Sequence, residues 1–314
     1  MTRSLFIDGA AGTTGLQIRE RLEGRGEFTL VTLSDADRKD PARRAEALNS
    51  VDFVILCLPD DAAREAVKLI ENPSTRVIDA SSAHRVAEGW TYGLPELDPG
   101  QQEAIAAARL VTNPGCWPSG FLALVRPLVR VGIIPSSWPL IYSGATGYSG
   151  GGKSMIAEFE DDSAPNYTDT AYRAYGLGLA HKHLPEMQKY ARIEHVPVFL
   201  PAVARTLRGM LGEVALPLAA MPRRPSLAAI EGALQDAYRD SPVIQVAPSE
   251  GISLLPIEID EGSDRMTLRV FGNAETGQAR LIATYDNLGK GASGAAVQNL
   301  NIMAGLDPIA GLNL

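Results

Sequence analysis

The chain has 314 residues, 45% hydrophobic and 21% charged with 30 glycines, which is enough for two domains or one large α/β unit and is the composition of a globular protein rather than a disordered or fibrous one. A formal net charge of -8 argues against a nucleic-acid-binding face, which needs clustered Lys and Arg, and two cysteines are too few for a disulfide framework. No apolar run approaches the ~20 residues that span a bilayer, and the first apolar stretch, Leu5-Phe6-Ile7, begins too early to leave room for a signal peptide; the expectation is a cytoplasmic protein with no membrane role.

In the first third, short apolar runs alternate with amphipathic stretches. Leu5 to Ile7, Phe28 to Leu33, Phe53 to Leu58, Val77 to Ile78 and Leu110 to Val111 read as strands. Leu16 to Leu22 and Ala62 to Ile70 read as helices, the second opened by Pro59-Asp60-Asp61. This rhythm predicts a doubly wound parallel sheet of Rossmann type. Within it, "LFIDGAAGTTGLQIRERL" is a strand, a glycine-rich turn and a helix, with Gly9, Gly12 and Gly15 at three-residue spacing and Thr13 and Thr14 at the helix start. Such a turn lets the chain approach a dinucleotide pyrophosphate, whose charge the helix N-terminus offsets. The G-x-x-G-x-x-G spacing departs from the usual fingerprint, and a tight strand-helix turn without a ligand is the competing reading. After the second strand, "SDADRKD" offers Ser34, Arg38 and Lys39 for a ribose 2'-phosphate, with Asp35 and Asp37 in the same loop for a 2'-hydroxyl. The balance favours NADP(H) over NAD.

The two cysteines read differently. Cys57 lies inside an apolar run and behaves as a small hydrophobe. Cys116, in "TNPGCWPSG", follows a strand and a Pro-Gly turn, and Pro118 suits the first turn of a helix that continues through Phe121, Leu124 and Leu128. A helix N-terminus favours a thiolate, and its N-H groups can stabilise an oxyanion on a carbonyl that the sulfur attacks. A structural cysteine at a turn is the alternative. From about Pro139 to Asp286 the pattern changes to long strand-like runs, predicting an α+β domain with a mixed, largely antiparallel sheet. Within it, Gly144 to Gly152 is expected to be a loop and "EFEDDSAPNYTD" a surface excursion. Gly291 to Leu306 returns to helical spacing.

Four stretches, "GAAGTTGLQI", "TNPGCWPSG", "GLAHKHLPEM" and "YDNLGKGASGAAVQNLNIM", span residues 9 to 303. Together they resemble the N-acetyl-gamma-glutamyl-phosphate reductase family, in its shorter branch, and more distantly the aspartate-semialdehyde and glyceraldehyde-3-phosphate dehydrogenases. The resemblance implies NADPH-dependent reduction of an acyl phosphate through a thioester on Cys116, in arginine biosynthesis. It implies an NADP-binding domain over residues 1-117 and 288-314, and a catalytic and oligomerisation domain over 118-287. A homo-oligomer, a dimer or tetramer, is expected. Another acyl-phosphate reductase, or a non-catalytic dinucleotide sensor on the same fold, remains an alternative at this stage.

Around that chemistry, His183 is expected as the acid/base and His181 as a substrate contact or support, although spacing does not rank them. Glu186 would orient a histidine or open a helix. A metal is not expected, because no cysteine or third histidine stands at ligand spacing. Arg85, Asn113, Lys153 and Arg208, with Arg205 as a further possibility, are candidates for the substrate's phosphate and carboxylate. The resemblance also carries Asn287, Gly289 and Gly291 to the neighbourhood of the nicotinamide.

Overall fold

In the computed structural model, which describes residues 2-314, the apolar runs of the first third become strands of one parallel sheet. β1 (Arg3–Asp8), β2 (Phe28–Val31), β3 (Phe53–Leu56), β4 (Arg76–Asp79), β5 (Thr91–Tyr92) and β6 (Leu110–Thr112) lie in the order β2-β1-β3-β4-β6-β5, each neighbouring pair parallel. α1 (Thr13–Leu22), α2 (Pro41–Asn49), α3 (Asp60–Leu69) and α4 (Gln101–Ala107) connect them. The strands read as continuous apolar runs because both faces are covered. Leu5, Ile7, Phe53 and Ile55 pack with Ile18 and Leu22 of α1 on one side, and Phe6, Val54, Leu56 and Val77 pack with Leu48 and Ala66 on the other. α2 starts where its sequence says it should: Asp40 accepts from the Ala42 and Arg43 amides, and Pro41 fills the first helical position.

The chain from Cys116 builds a second sheet. β7 (Ile141–Gly147), β8 (Tyr172–Ala174), β9 (Val198–Ala204), β10 (Met210–Leu216), β11 (Ile244–Val246), β12 (Met266–Asn273) and β13 (Gln278–Tyr285) run in the order β11-β12-β13-β10-β7-β9-β8. Pairing is antiparallel except between β11 and β12 and between β7 and β9. With them come α5 (Cys116–Arg130), α6 (Gly152–Glu160), α7 (Leu184–Ala191) and α8 (Leu227–Tyr238). α5 and α8 cover one face of the sheet, and α7 packs on α5. α5 is apolar almost all round and buried from Trp117 to Leu128. Pro127 inside it has no N-H for the Ala123 carbonyl, and the Tyr238 hydroxyl donates to that carbonyl instead, at 2.9 Å. The opposite sheet face exposes Ile141, Tyr172, Val198 and Leu200.

The Gly144 to Gly152 stretch is not the loop its composition predicts. It is the end of β7, a 3-10 turn over Tyr148–Gly151 and the start of α6. Glycine serves close strand packing here: a Cβ at Gly144 would lie 2.1 Å from the Leu211 carbonyl oxygen. The "EFEDDSAPNYTD" stretch finishes α6 and then loops across the surface, held by Arg205, which donates to the Thr168 and Phe159 carbonyls at 2.7 and 3.0 Å.

After β13 a π-helical turn, Gly289–Ser293, leads into α9 (Gly294–Met303), whose Val297 and Leu300 join the Leu5 and Ile18 cluster of the first sheet. One compact unit thus comprises the chain up to Pro95 with Gly100–Gly115 and Ala292–Leu312, and the other Glu96–Pro99, Cys116–Gly291 and Asn313–Leu314. The divisions between these units fall at 115/116 and 291/292. Residues 96-99 join the second unit because Asp98 is bound there by Arg126, Arg130 and Arg192. Among the described residues no helix is long and apolar enough to cross a membrane.

Candidate active site

The first glycine turn has the form a dinucleotide needs. Gly9 has φ +87, and a Cβ there would lie 2.3 Å from the Cys57 carbonyl oxygen; a Cβ at Gly15 would lie 2.6 Å from that of Gly9. β1, β3 and α1 can converge this closely only around glycine. Gly12 caps α1 without any side-chain hydrogen bond, and the first turn holds no acidic residue, so its amide end is suited to an anion. The Thr13 hydroxyl in that turn is buried with no hydrogen-bond partner, a cost of ~1–3 kcal/mol that an acceptor on a ligand would relieve. Thr14, beside it, is half-buried. A cleft of about 520 Å³ runs from Gly9, Ala10 and Ala11 past Leu30 to Leu33 to Arg38, Lys39 and Arg44. These residues fit a bound dinucleotide.

The loop after β2 resolves its candidates unequally. Ser34 donates to the Asp37 carboxylate at 2.7 Å and accepts from the Asp37 amide, so its hydroxyl shapes the 3-10 turn Asp37–Lys39. Arg38 lines the cleft and pairs with Asp35 at 3.3 Å on a well-exposed surface. Sequence reading missed Arg44, whose side chain reaches from α2 to Asp8 at the end of β1, 2.7 Å away, and lines the same cleft.

Cys116 is the first residue of α5, partly exposed. An α-helix leaves its first N-H groups without an intrahelical acceptor, and α5 has no acidic side chain in its first turn to compete for them. Pro118 sits where a missing N-H costs nothing. The Cys116 carbonyl accepts from the Tyr285 hydroxyl at 2.7 Å, and Gly291 packs so closely that a Cβ there would lie 3.1 Å from Cys116 Cβ. Cys57 contrasts with it: burial, with Asp79 and Asp8 nearby, pushes its thiol up to about 12, leaving it protonated and inert.

The histidine segment lies within the same unit. Trp117 donates through Nε1 to the Tyr175 hydroxyl at 2.7 Å, and Tyr175 is 5.8 Å, ring to ring, from His181. Phe199 stacks edge-on with both Trp117 and His181. Burial raises the Tyr175 hydroxyl well above its usual range, with the Cys116 charge as the second cause. It therefore stays a neutral hydroxyl. The His181 and His183 rings are 4.6 Å apart, and the His183 amide donates to His181 Nδ1 at 3.2 Å. A neutral His181 accordingly carries its proton on Nε2. His183 is 7% exposed at the start of α7, and Glu186 in the first turn is buried.

The remaining candidates separate. Asn113 is buried, with Nδ2 donating to the Ala292 carbonyl and Oδ1 accepting from Asn299. Arg85 is buried and donates to the carbonyls of Asn113 and Ala80. These contacts tie the strand ends of the first unit together. Asn287 is similarly engaged in the second, donating to Ser149 Oγ and accepting from the Gly209 amide. Gly289 packs against the Ser263 carbonyl, where a Cβ would sit at 2.4 Å. Lys153 is exposed in the first turn of α6. Arg208 is one-third exposed and 3.7 Å from Asp286. Sequence reading also missed Tyr285 and Asp286, the last residue of β13 and the one after it.

A nicotinamide-type turn and a thiol at a helix start, with a histidine pair in the thiol's own unit, agree with the comparisons. The model of the semialdehyde dehydrogenase NAD binding domain matches residues 5–107, and that of the semialdehyde dehydrogenase dimerisation domain matches 116–287. Among curated relatives, N-acetyl-gamma-glutamyl-phosphate reductase of Chelativorans sp. (strain BNC1) is 51% identical, over 96% of this chain and 98% of the relative. The enzyme of the same name from Brucella ovis is 48% identical, over 97% and 100%. In fold, the chain matches aspartate semialdehyde dehydrogenase II from Vibrio cholerae with a TM-score of 0.71 at 16% identity, over 96% of this chain and 98% of that one. A probable aspartate-semialdehyde dehydrogenase from Pseudomonas aeruginosa gives 0.74 at 17%, with the same coverage. The chain belongs to the semialdehyde dehydrogenase family, in its N-acetyl-gamma-glutamyl-phosphate reductase branch, and carries that family's nicotinamide-dinucleotide domain.

Proposed function

We infer that this enzyme reduces N-acetyl-gamma-glutamyl phosphate to N-acetylglutamate semialdehyde and phosphate, with NADPH as reductant, in arginine biosynthesis. The observation that carries the reading is the partly exposed Cys116 at the start of α5, in the same unit as the histidine pair. The Cys116 thiolate attacks the acyl carbon, the carbon-oxygen bond to phosphate breaks, and phosphate leaves a thioester on sulfur. The amides at the start of α5 stabilise the tetrahedral oxygen. A nicotinamide dinucleotide held at the Gly9 turn and the start of α1 would supply the hydride that reduces the thioester. Cleavage of the carbon-sulfur bond then releases the aldehyde and regenerates the thiolate. The His181 and His183 pair takes the thiol proton before attack and passes it to the departing phosphate, and the tetrahedral oxyanion formed by the hydride collapses to the aldehyde without taking a proton. Arg208 and Lys153 are the proposed partners of the substrate's anionic groups; Arg85 and Asn113 act on the substrate only through the strand ends they hold. Run in reverse, phosphate-dependent reduction of NADP with N-acetylglutamate semialdehyde should far exceed that with aspartate semialdehyde. Equal rates, or a preference for aspartate semialdehyde, would overturn the substrate assignment.

NADP is preferred over NAD because Arg19, Arg38, Lys39 and Arg44 line the cleft against two carboxylates, Asp8 and Asp35, which are paired to Arg44 and Arg38. A charged hydrogen bond of ~1.5–3 kcal/mol corresponds to about 10- to 100-fold. Arg38→Ala should therefore raise KM for NADPH by about that factor and leave KM for NADH near wild type. An unchanged ratio between the two cofactors would remove Arg38 from the site.

The exposed face of the second sheet supports a homo-oligomer. Ile141 and Val198 are paired in register and both half exposed, with Leu200 and Tyr172 on the same face. A contiguous apolar face of this kind marks an association surface, and the matching family model carries the word dimerisation. Leu200→Glu should convert the assembly to monomers in light scattering; unchanged mass would move the interface elsewhere.

A further inference from the structure

We propose that Tyr285 is a positioning residue for Cys116, its hydroxyl fixing the cysteine's carbonyl while the turn that follows it sets Gly291 against the cysteine's Cβ. The proposal rests on the reading of Cys116 as the nucleophile. Tyr285 is fully buried at the end of β13, beneath α5, and donates to the Cys116 carbonyl at 2.7 Å. That carbonyl opens α5 and already has the Gly120 amide available to it through the ordinary helical bond. The helix therefore gains no satisfaction it lacked; what the hydroxyl adds is a fixed location for the first turn. Gly120 makes the room: a Cβ there would lie 2.6 Å from Tyr285 Oη. A phenylalanine at 285 would fill the same core without a buried hydroxyl to desolvate, so the hydroxyl is retained at a cost.

The grip on the other side begins one residue later. Asp286 is buried, and its carboxylate accepts from the Leu288, Gly289 and Gly262 amides at 2.7, 3.1 and 2.7 Å. Its carbonyl accepts from the Gly291 amide at 3.1 Å. Those bonds shape the π-turn whose Gly291 abuts Cys116 Cβ. Two adjacent residues of one strand end thus constrain the same cysteine through its carbonyl and through its side-chain root. A thioester carbon must sit within a narrow range of its hydride donor, and a misplacement of ~1 Å costs about 100-fold.

The test is Tyr285→Phe, with kcat and KM measured alongside iodoacetamide alkylation of Cys116 as a function of pH. The expected result is a kcat lowered by about 10- to 100-fold with KM within about threefold. The alkylation midpoint, the number of alkylatable Cys116 sites and the melting midpoint should stay near wild type, because a small electrophile needs the thiolate but not its alignment. Tyr238→Phe serves as the control: its buried hydroxyl also donates to an α5 carbonyl, that of Ala123, away from Cys116, and that variant should keep wild-type kcat. An unchanged kcat in Tyr285→Phe overturns the proposal, as does a shifted alkylation midpoint, which would mean the hydroxyl acts on the thiol electrostatically. An equal loss in both tyrosine variants also overturns it, since that is general loosening of the core. Should Tyr285→Phe fail to fold, Gly291→Ala probes the other grip and carries the same expected split between lost turnover and retained alkylation; an unchanged kcat there counts against the proposal. Turnover retained in Cys116→Ala would instead mean the nucleophile reading itself had failed, whatever Tyr285 does.

Discussion

Cys116→Ala is expected to lose turnover by on the order of 10⁴-fold or more, the scale seen when a covalent nucleophile is removed, while stability changes by less than about 0.5 kcal/mol. The two effects separate for a physical reason. Cys116 occupies a helix position that alanine suits at least as well, and its hydrogen bond to Tyr285 is made by the backbone carbonyl, which alanine keeps. Dinucleotide binding should also persist, since the glycine turn lies in the other unit. Following NADPH oxidation with the acyl phosphate, beside a melting curve, checks both halves. Activity within tenfold of wild type would exclude covalent catalysis at this residue.

The other large effect is expected at Gly9. Alanine there meets two obstacles at once: a φ of +87, which L side chains rarely adopt, and a Cβ 2.3 Å from the Cys57 carbonyl oxygen. That oxygen belongs to backbone just beyond β3, so it cannot swing aside as a side chain would. The backbone conformation alone costs ~1–2 kcal/mol, and relieving the contact means spreading β1 from β3. Gly9→Ala should destabilise the protein by about 2–4 kcal/mol and weaken dinucleotide binding by at least tenfold through the displaced turn. A variant with wild-type melting and wild-type NADPH affinity would show that this turn does not shape the cofactor site. Gly12 offers a comparison, since its added Cβ would meet the Gly9 oxygen only at 3.4 Å, ordinary contact, so Gly12→Ala should be the milder of the two.

The first sheet was legible in the sequence because its strands are covered on both faces and so appear as unbroken apolar runs; β5, two residues long, left no such trace. The second sheet showed its strand character, but the glycines of Gly144 to Gly152 misled. Glycine marks either a turn or a close backbone approach, and only the partner strand carrying Leu211 tells which. Cys116 stood out through its neighbours, since Gly115 and Pro118 specify a helix start. The substrate candidates were weaker because charge alone does not reveal what a side chain already holds. Arg85 and Asn113 are occupied by backbone carbonyls and by Asn299, contacts visible only once β4, β6 and α9 are assembled. Tyr285 could not be found at all by spacing, being 169 residues from the carbonyl it serves.

The central claim, a thioester on Cys116, is tested most directly by mixing the enzyme with N-acetyl-gamma-glutamyl phosphate in the absence of NADPH, quenching in acid and mapping the mass gain by peptide analysis. The account predicts one N-acetylglutamyl group on the peptide containing Cys116, discharged as the semialdehyde when NADPH is added before the quench. An enzyme that turns over with NADPH yet carries no acyl group without it, or carries it on any other residue, would contradict the claim.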